Sequence, residues 1–214
     1  MQFHWLGEQP YLPLLASMQQ HARALQSGDR SETLWCCWHQ PVYTTGQRAA
    51  DNRRYATLPA PLVVTDRGGE TTFHGPGQLM LYPILSIRAR ALTVRHYIAL
   101  LEESCIALLA QEGISSERVE GAPGVWSEQG KIASIGVRIS RGVAWHGMAL
   151  NVTTDLDWFR EINPCGLSAA PDRMSSYIDP PPLEQLADNW HRHLRTLLRQ
   201  AEREQPGEAP PSAH

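Results

Sequence analysis

The longest strand-like stretch of the chain, residues 131–152, places the strongest constraint on its fold. It consists of KIASIGVRIS (131–140) and GVAWHGMALNV (142–152), joined around Arg141-Gly142. Two alternating apolar runs with a short glycine-containing connection predict an antiparallel hairpin, so the fold must contain a β-sheet. In the first strand the alternation assigns Ile132, Ser134, Gly136 and Arg138 to one face, and Lys131, Ala133, Ile135, Val137 and Ile139 to the other.

Further strands and three amphipathic helices surround this hairpin in the sequence. Helical periodicity covers residues 10–26, 93–112 and 182–202, and Gly113 is a plausible stop for the second helix. Helices interspersed with strands predict an α+β (mixed α/β) single domain, residues 1–203. The polar, proline-rich residues 204–214 are expected to form a disordered tail. The other predicted strands are LWCCW (34–38), PLVVTD (61–66), LMLYPILSI (79–87) and GVWSE (124–128).

Composition excludes several classes of protein. A net charge of −3 over 214 residues argues against a general nucleic-acid binder. No apolar run reaches the length of about 18 to 20 residues that spans a bilayer, and the N-terminus has no signal-peptide pattern. The expected compartment is therefore the cytoplasm. The cysteines show neither paired CxxC nor metal-ligand spacing, so we expect no metal and no structural disulfide.

Lys131 is the only lysine among 19 basic residues. Arginine cannot replace lysine where a compact amine must lose its proton. Two plain alternatives remain, because one lysine can survive by chance and a lysine at a strand edge discourages edge-to-edge pairing. The small and apolar residues that follow Lys131 suit the wall of a pocket better than an exposed edge.

The segment RGGETTFHGPGQ (67–78) has four glycines and lies between two apolar strands. Glycine lets a backbone approach a ligand closely, so this loop is a candidate binding element, with an ordinary hairpin loop as the alternative. It matches neither a Walker loop nor a dinucleotide fingerprint.

Cys165 differs from the other thiols in its surroundings. It follows Asn163-Pro164 and precedes Gly166, residues that shape a tight turn and offer little packing. Cys36 and Cys37 fall inside an apolar strand and Cys105 on the apolar face of a helix, where cysteine is a small buried hydrophobe. Cys165 is thus the candidate reactive thiol, with a buried structural role as the alternative.

These segments resemble the lipoyl(octanoyl) transferases of the biotin/lipoate protein ligase superfamily. The resemblance implies a mixed, mostly antiparallel sheet flanked by helices. The sequence departs from the family at Phe73, where tyrosine is frequent, and at Glu70, where an uncharged residue is common. The matching stretches are PVYTTGQR (41–48), RGGETTFHGPGQLMLYPIL (67–85), PGVWSEQGKIASIGVRI (123–139), WHGMALNV (145–152) and INPCGL (162–167).

The resemblance implies an acyltransferase that moves an octanoyl group from acyl carrier protein to a lysine of a lipoyl domain. Its acceptors would be the lipoyl domains of 2-oxoacid dehydrogenase complexes and the glycine cleavage H protein. Cys165 would carry the acyl group as a thioester, and Lys131 would lower the pKa of that thiol. No cofactor is implied, because exchanging one thioester for another needs no ATP. The acyl site would comprise Arg67, Gly68, Gly69, Glu70, Thr71, Thr72, Phe73, His74, Ser134, Ile135, Gly136, Gly147, Met148 and Ala149.

Other interpretations remain open at this point. His74 or His146 invites a catalytic Cys–His pair, but we favour a wall of the acyl site for His74 and an architectural hydrogen bond for His146. An ATP-dependent lipoate or biotin protein ligase is the main enzymatic alternative, and a non-catalytic acyl- or lipoyl-domain-binding module is the third. We expect a monomer, and an acidic carrier protein favours a basic docking surface. Arg48, Arg53 and Arg54 are candidates for that surface, with an ordinary solvated face as the alternative.

Overall fold

The computed structural model describes residues 1–46, 58–162 and 170–204. They form the mixed α/β fold that the sequence predicts. The helices are α1 (Tyr11–Ser27), α2 (Val94–Gln111) and α3 (Leu183–Glu204). The strands are β1 (Gln2–Gln9), β2 (Thr33–His39), β3 (Val42–Gly46), β4 (Leu62–Thr65), β5 (Thr72–His74), β6 (Gln78–Ser86), β7 (Ser116–Val119), β8 (Ala122–Ser127), β9 (Lys131–Ser140) and β10 (Val143–Asn151).

The strands form two sheets. Seven strands make the main sheet in the order β1-β2-β6-β10-β9-β8-β7, and three make a small sheet in the order β4-β3-β5. Only the pairs β1·β2 and β3·β4 are parallel among the described strands. The mixed, mostly antiparallel sheet predicted from the resemblance is therefore confirmed.

The predicted hairpin is formed by β9 and β10. Ser140 pairs with Val143, and the register continues to Ala133 opposite Leu150. The two loop residues, Arg141 and Gly142, both have positive φ, at 50° and 81°. Positive φ at both central residues is the signature of a type I′ turn, whose twist matches the twist of the flanking strands.

The main sheet is buried between two helical layers. Along β6, Leu79, Leu81 and Leu85 point into a core shared with α2 and α3. Met80, Tyr82 and Ile84 alternate with them and point into a second core, beneath α1. A strand buried on both faces needs apolar residues at successive positions, which is why 79–87 shows a continuous apolar run rather than simple alternation.

The helix ends follow from local sequence. The Thr93 hydroxyl accepts a hydrogen bond from the His96 amide at 3.1 Å and caps the start of α2. Gly113, the predicted stop, has φ of 79° and its amide bonds to the Ala110 carbonyl. None of the described helices is long and apolar enough to cross a membrane. The predicted tail lies outside the described residues, apart from Glu204, which ends α3.

Four strands were not predicted: β1, β3, β5 and β7. Strand β5 lies inside the segment predicted as a loop, where Thr72, Phe73 and His74 pair with Thr44, Tyr43 and Val42. It has only three residues, too few to show a period-2 pattern, and its pairing depends on β3, 30 residues earlier in the chain.

Candidate active site

A cavity opens between the glycine-rich segment, the β9–β10 hairpin and the start of α1. The described residues that line it are Tyr11, Arg67, Gly69, Glu70, Thr71, Thr72, His74, Met80, Tyr82, Ser134, Ile135, Gly136, His146, Gly147, Met148 and Ala149.

All but two of the predicted acyl-site residues line this cavity. Phe73 does not, because successive side chains of β5 point to opposite sides: Thr72 and His74 reach the cavity, and the Phe73 ring stacks on Trp158 at 4.8 Å. Gly68 lines a neighbouring groove instead. A tyrosine hydroxyl at residue 73 would therefore not face the cavity.

Four lining residues were not predicted. Met80 and Tyr82 lie on the β6 face opposite the leucines. The alternation of side chains along β6 could therefore have predicted that these two residues share a face. For His146 the sequence favours an architectural residue, with a catalytic Cys–His pair as the alternative. Tyr11 comes from the first turn of α1, and nothing in its local sequence indicates a site.

Two paired glycines of the hairpin make room for neighbouring backbone, Gly136 for the glycine-rich segment and Gly147 for β6. Gly136 and Gly147 face each other across β9 and β10. A Cβ on Gly136 would lie 3.0 Å from the Gly68 carbonyl oxygen, and a Cβ on Gly147 would lie 2.0 Å from that of Leu81. Side chains here would displace the glycine-rich segment or β6, each of which carries cavity residues.

Arg67 shapes the cavity from inside the protein. It is buried, and its guanidinium donates to the carbonyl oxygens of Thr44 at 2.6 Å, Gly68 at 2.9 Å and Glu70 at 2.8 Å. These bonds tie the glycine-rich segment to β3. The guanidinium therefore acts as a rigid template for the loop backbone, which suits arginine's planar set of donors.

The His74 ring is a neutral part of the wall. Burial, followed by the nearby His39 and Arg67, lowers the pKa of His74 to about 3. Its Nδ1–H donates to Gln78 Oε1 at 2.8 Å, and its Nε2 accepts from the Thr44 hydroxyl at 3.1 Å. A histidine with so low a pKa and both nitrogens engaged is a poor general base.

His146 makes the architectural hydrogen bond that the sequence analysis favours. Its Nε2–H donates to Oδ1 of Asp66 at 2.7 Å, and Asp66 immediately precedes the glycine-rich segment. Burial lowers the pKa of His146, so the pair is a neutral imidazole on a carboxylate. His146 has a positive φ, at 59°. It lies where the pairing of β10 with β6 is interrupted, between Ala144 and Met148. On the β6 side of this gap is Pro83, which has no N–H to donate.

Lys131 is buried at the start of β9, with 6% of its surface exposed. Its Nζ donates to the Pro123 carbonyl at 2.6 Å and lies 5.4 Å from the centre of the Trp126 ring. Burial excludes the role of a solvent-facing edge lysine. Burying a charged amine is costly unless polar groups receive it, so the position calls for a functional reason.

Residues 170–172 run alongside Lys131. The Lys131 amide donates to the Ala170 carbonyl, and the Asp172 amide donates to the Lys131 carbonyl, each at 3.0 Å. Asp172 is itself buried, and Tyr177 donates to its carboxylate at 2.7 Å. The chain that follows residue 169 is therefore fixed to the strand that carries the lysine.

Cys36, Cys37 and Cys105 are buried, as predicted. Burial raises the pKa of each of these thiols, which keeps them protonated and unreactive. Cys165 lies outside the described residues, as do Arg48, Arg53 and Arg54. Within the described ranges no three metal-ligating side chains converge.

Comparison with known proteins identifies close relatives. Residues 10–195 match the family described as the lipoyl protein ligase A/B catalytic domain. An octanoyltransferase from Halorhodospira halophila is 45% identical over 162 residues, which cover 76% of this chain and 74% of the relative. One from Dichelobacter nodosus is 38% identical over 187 residues, covering 86% of this chain and 93% of the relative.

Solved structures share the fold at low sequence identity. A bipartite lipoate protein ligase from Thermoplasma acidophilum superposes with a TM-score of 0.67 at 15% identity, covering 95% of this chain and 92% of that one. A biotin protein ligase from Aquifex aeolicus, in complex with biotin and ATP, gives a TM-score of 0.61 at 11% identity, covering 95% and 72%. At these identities the likeness concerns the fold alone.

Proposed function

Because the chain belongs to the lipoyl protein ligase A/B catalytic domain family, we propose that it is an octanoyltransferase working through a thioester on Cys165, with Lys131 beside the thiol. Its relatives at 38–45% identity are octanoyltransferases, and this activity makes the chain an acyltransferase. The donor is octanoyl-acyl carrier protein. The acceptors are lipoyl domains of 2-oxoacid dehydrogenase complexes and the glycine cleavage H protein.

The cavity beside the lysine-bearing strand is the observation that carries this proposal. Met80, Ile135, Met148 and Ala149 give it an apolar lining, and the neutral His74 adds no charge. Such a lining favours an alkyl chain, since each buried methylene contributes about 0.8 kcal/mol. Strand β9 runs from Lys131 directly to the cavity residues Ser134–Gly136.

The neighbouring chain supports placing Cys165 near Lys131. Ala170 accepts the hydrogen bond from the Lys131 amide, and Cys165 precedes it by five residues. Five residues extend at most about 18 Å. Ile162, three residues before the cysteine, is buried against the Phe159 cluster, so both flanks of the thiol are anchored.

The reaction proceeds in two acyl transfers. Cys165 attacks the donor thioester as a thiolate, the acyl group moves to its sulfur, and the carrier thiolate leaves and takes up a proton. The acceptor lysine then attacks as a free amine, the amide forms, and Cys165 departs as a thiolate. The Lys131 ammonium favours the Cys165 thiolate and gives its proton to the leaving carrier thiolate. The neutral amine that remains takes the proton that the acceptor lysine loses in the second transfer, which restores the ammonium beside the departing Cys165 thiolate. Thioester exchange is nearly isoenergetic and amide formation runs downhill, so ATP has no part.

A transfer assay separates this proposal from the ligase alternative. The protein is mixed with a lipoyl domain and either octanoyl-acyl carrier protein or free octanoate with ATP, and octanoylation of the domain is followed by mass spectrometry. We expect product only from the carrier protein, loss of turnover in Cys165→Ser, and full activity in the control Cys105→Ser. Product from octanoate and ATP alone supports a ligase, and binding without turnover supports a binding module.

A further inference from the structure

The Lys131 amine is held by the backbone of β8. Besides the 2.6 Å bond from Nζ to the Pro123 carbonyl, the side chain lies across Gly124. A Cβ on Gly124 would come within 2.5 Å of Lys131 Cε and 3.1 Å of Nζ, and Gly124 has a φ of 127°. The position of the amine therefore depends on where Pro123 and Gly124 lie.

A buried carboxylate from α2 fixes that backbone. Glu102 is 7% exposed, and its Oε1 accepts a hydrogen bond from the Gly124 amide at 2.8 Å. The hydrogen bonds at Gly124 and Pro123 meet at one peptide unit, so Glu102 Oε1 lies within about 8 Å of Lys131 Nζ. The peptide unit between Pro123 and Gly124 thus donates its N–H to Glu102 and accepts a hydrogen bond from Lys131 at its C=O.

A buried glutamate at this position calls for a reason beyond helix formation. Taking a carboxylate out of water is costly, and one amide hydrogen bond offsets only part of that cost. Its neighbour Glu103 shows the ordinary arrangement: its side chain is 42% exposed and pairs with Arg118 at 3.2 Å. Glu102 instead points between α2 and β8, towards the peptide that receives the lysine.

We propose that Glu102 is a positioning residue for Lys131: it anchors the Gly124 amide and thereby fixes the Pro123 carbonyl that holds the lysine amine. This inference rests on the proposed function for its effect on catalysis. Its structural part stands separately, because Lys131 is the only lysine and its accessibility can be measured directly.

Three variants test the proposal. Glu102→Asp shortens the side chain but keeps its charge, Glu102→Gln keeps the reach and a carbonyl acceptor, and Glu103→Gln is the control at the partly exposed neighbour. The first readout is the rate at which trinitrobenzenesulfonate modifies Lys131, followed on its peptide by mass spectrometry so that the terminal amine does not interfere. The second is kcat and KM for octanoyl transfer. Circular dichroism verifies that each variant is folded.

We expect Glu102→Asp to label Lys131 several-fold faster and to lower kcat by about tenfold, since displacing a reacting group by about 1 Å costs that much or more. Its KM for octanoyl-acyl carrier protein should stay unchanged. Glu102→Gln should keep the Lys131 labelling rate and kcat near the parent values, and Glu103→Gln should match the parent in both.

Two results overturn the proposal. If Glu102→Asp labels and turns over like the parent, the carboxylate does not position the lysine. If Glu102→Gln fails as badly as Glu102→Asp, a neutral acceptor at the full reach does not hold the lysine, and the hydrogen bond to the Gly124 amide is not what positions it. A Lys131→Met variant with full transfer activity would instead remove Lys131 from the proposed mechanism, while the labelling rates still decide whether Glu102 holds the amine.

Discussion

At the scale of single residues, the buried histidines show how the fold sets protonation. His39 is 1% exposed, its Nδ1–H donates to the Gln9 carbonyl at 2.7 Å, and its Nε2 accepts from the Tyr82 hydroxyl at 2.9 Å. Burial lowers the pKa of His39 to about 4, as it lowers that of His74 to about 3. Both rings are therefore neutral in the folded protein at neutral pH.

This neutrality predicts an acid-sensitive fold. Below a pH of about 6.5 the unfolded chain protonates these histidines while the folded chain does not. The free energy of unfolding therefore decreases as the pH is lowered, until the folded pKa values are reached. Each buried histidine contributes a slope of up to about 1.4 kcal/mol per pH unit. Urea unfolding between pH 7 and pH 5 should therefore show a shallower dependence in His39→Gln than in the parent.

The control for this experiment is His96→Gln, at an exposed position on α2. It should retain the parent's pH dependence. Equal slopes in the parent and in His39→Gln would show that His39 takes up its proton in the folded state as readily as in the unfolded one.

At the scale of secondary-structure elements, β9 connects the parts of the site. It begins at the buried Lys131, pairs with β10 along the cavity, and carries Gly136 beneath the glycine-rich segment. The positions of the loop and of the lysine are thus both set by one strand in the middle of a sheet.

Gly136→Ala should impair acyl binding more than folding. The added methyl would crowd the Gly68 carbonyl oxygen and the Arg67 side chain at 3.0 and 3.1 Å, which pushes the loop away from the sheet. We expect KM for octanoyl-acyl carrier protein to rise by about tenfold, equivalent to about 1.4 kcal/mol of lost binding. Steady-state transfer kinetics measure this change.

Gly68→Ala is the matched control. A Cβ there meets only the Val137 carbonyl oxygen, at 3.4 Å, and Gly68 does not line the cavity. Its KM should stay near the parent value. If both variants behave alike, close approach of the loop to β9 is not what forms the acyl site.

The sequence predicted elements whose signals are local. Arg141-Gly142 identified the hairpin because a two-residue turn and its flanking alternation are adjacent in the chain. The cavity could be predicted only through the resemblance, and even then Phe73 was misplaced, because its side depends on how the three-residue β5 pairs with β3. Tyr11 and Glu102 were missed because each reaches its partners through helix packing, which no short stretch of sequence encodes.

At the scale of the whole molecule, the sheet brings distant segments together. Lys131 is joined to residues 170–172 by backbone hydrogen bonds and to α2 through Pro123, Gly124 and Glu102. Helix α1 closes the cavity from the opposite layer with Tyr11. The proposed chemistry therefore depends on the packing of both layers and not on one motif.

The central claim is that Cys165 carries the acyl group, and one measurement tests it most directly. The protein is mixed with octanoyl-acyl carrier protein without an acceptor, and the intact chain and its peptides are weighed by mass spectrometry. We predict a single octanoyl adduct, on the peptide that contains Cys165, which disappears when a lipoyl domain is added and reappears as octanoyl on that domain. An adduct on another residue, or undiminished transfer to the lipoyl domain by Cys165→Ser, would contradict the account.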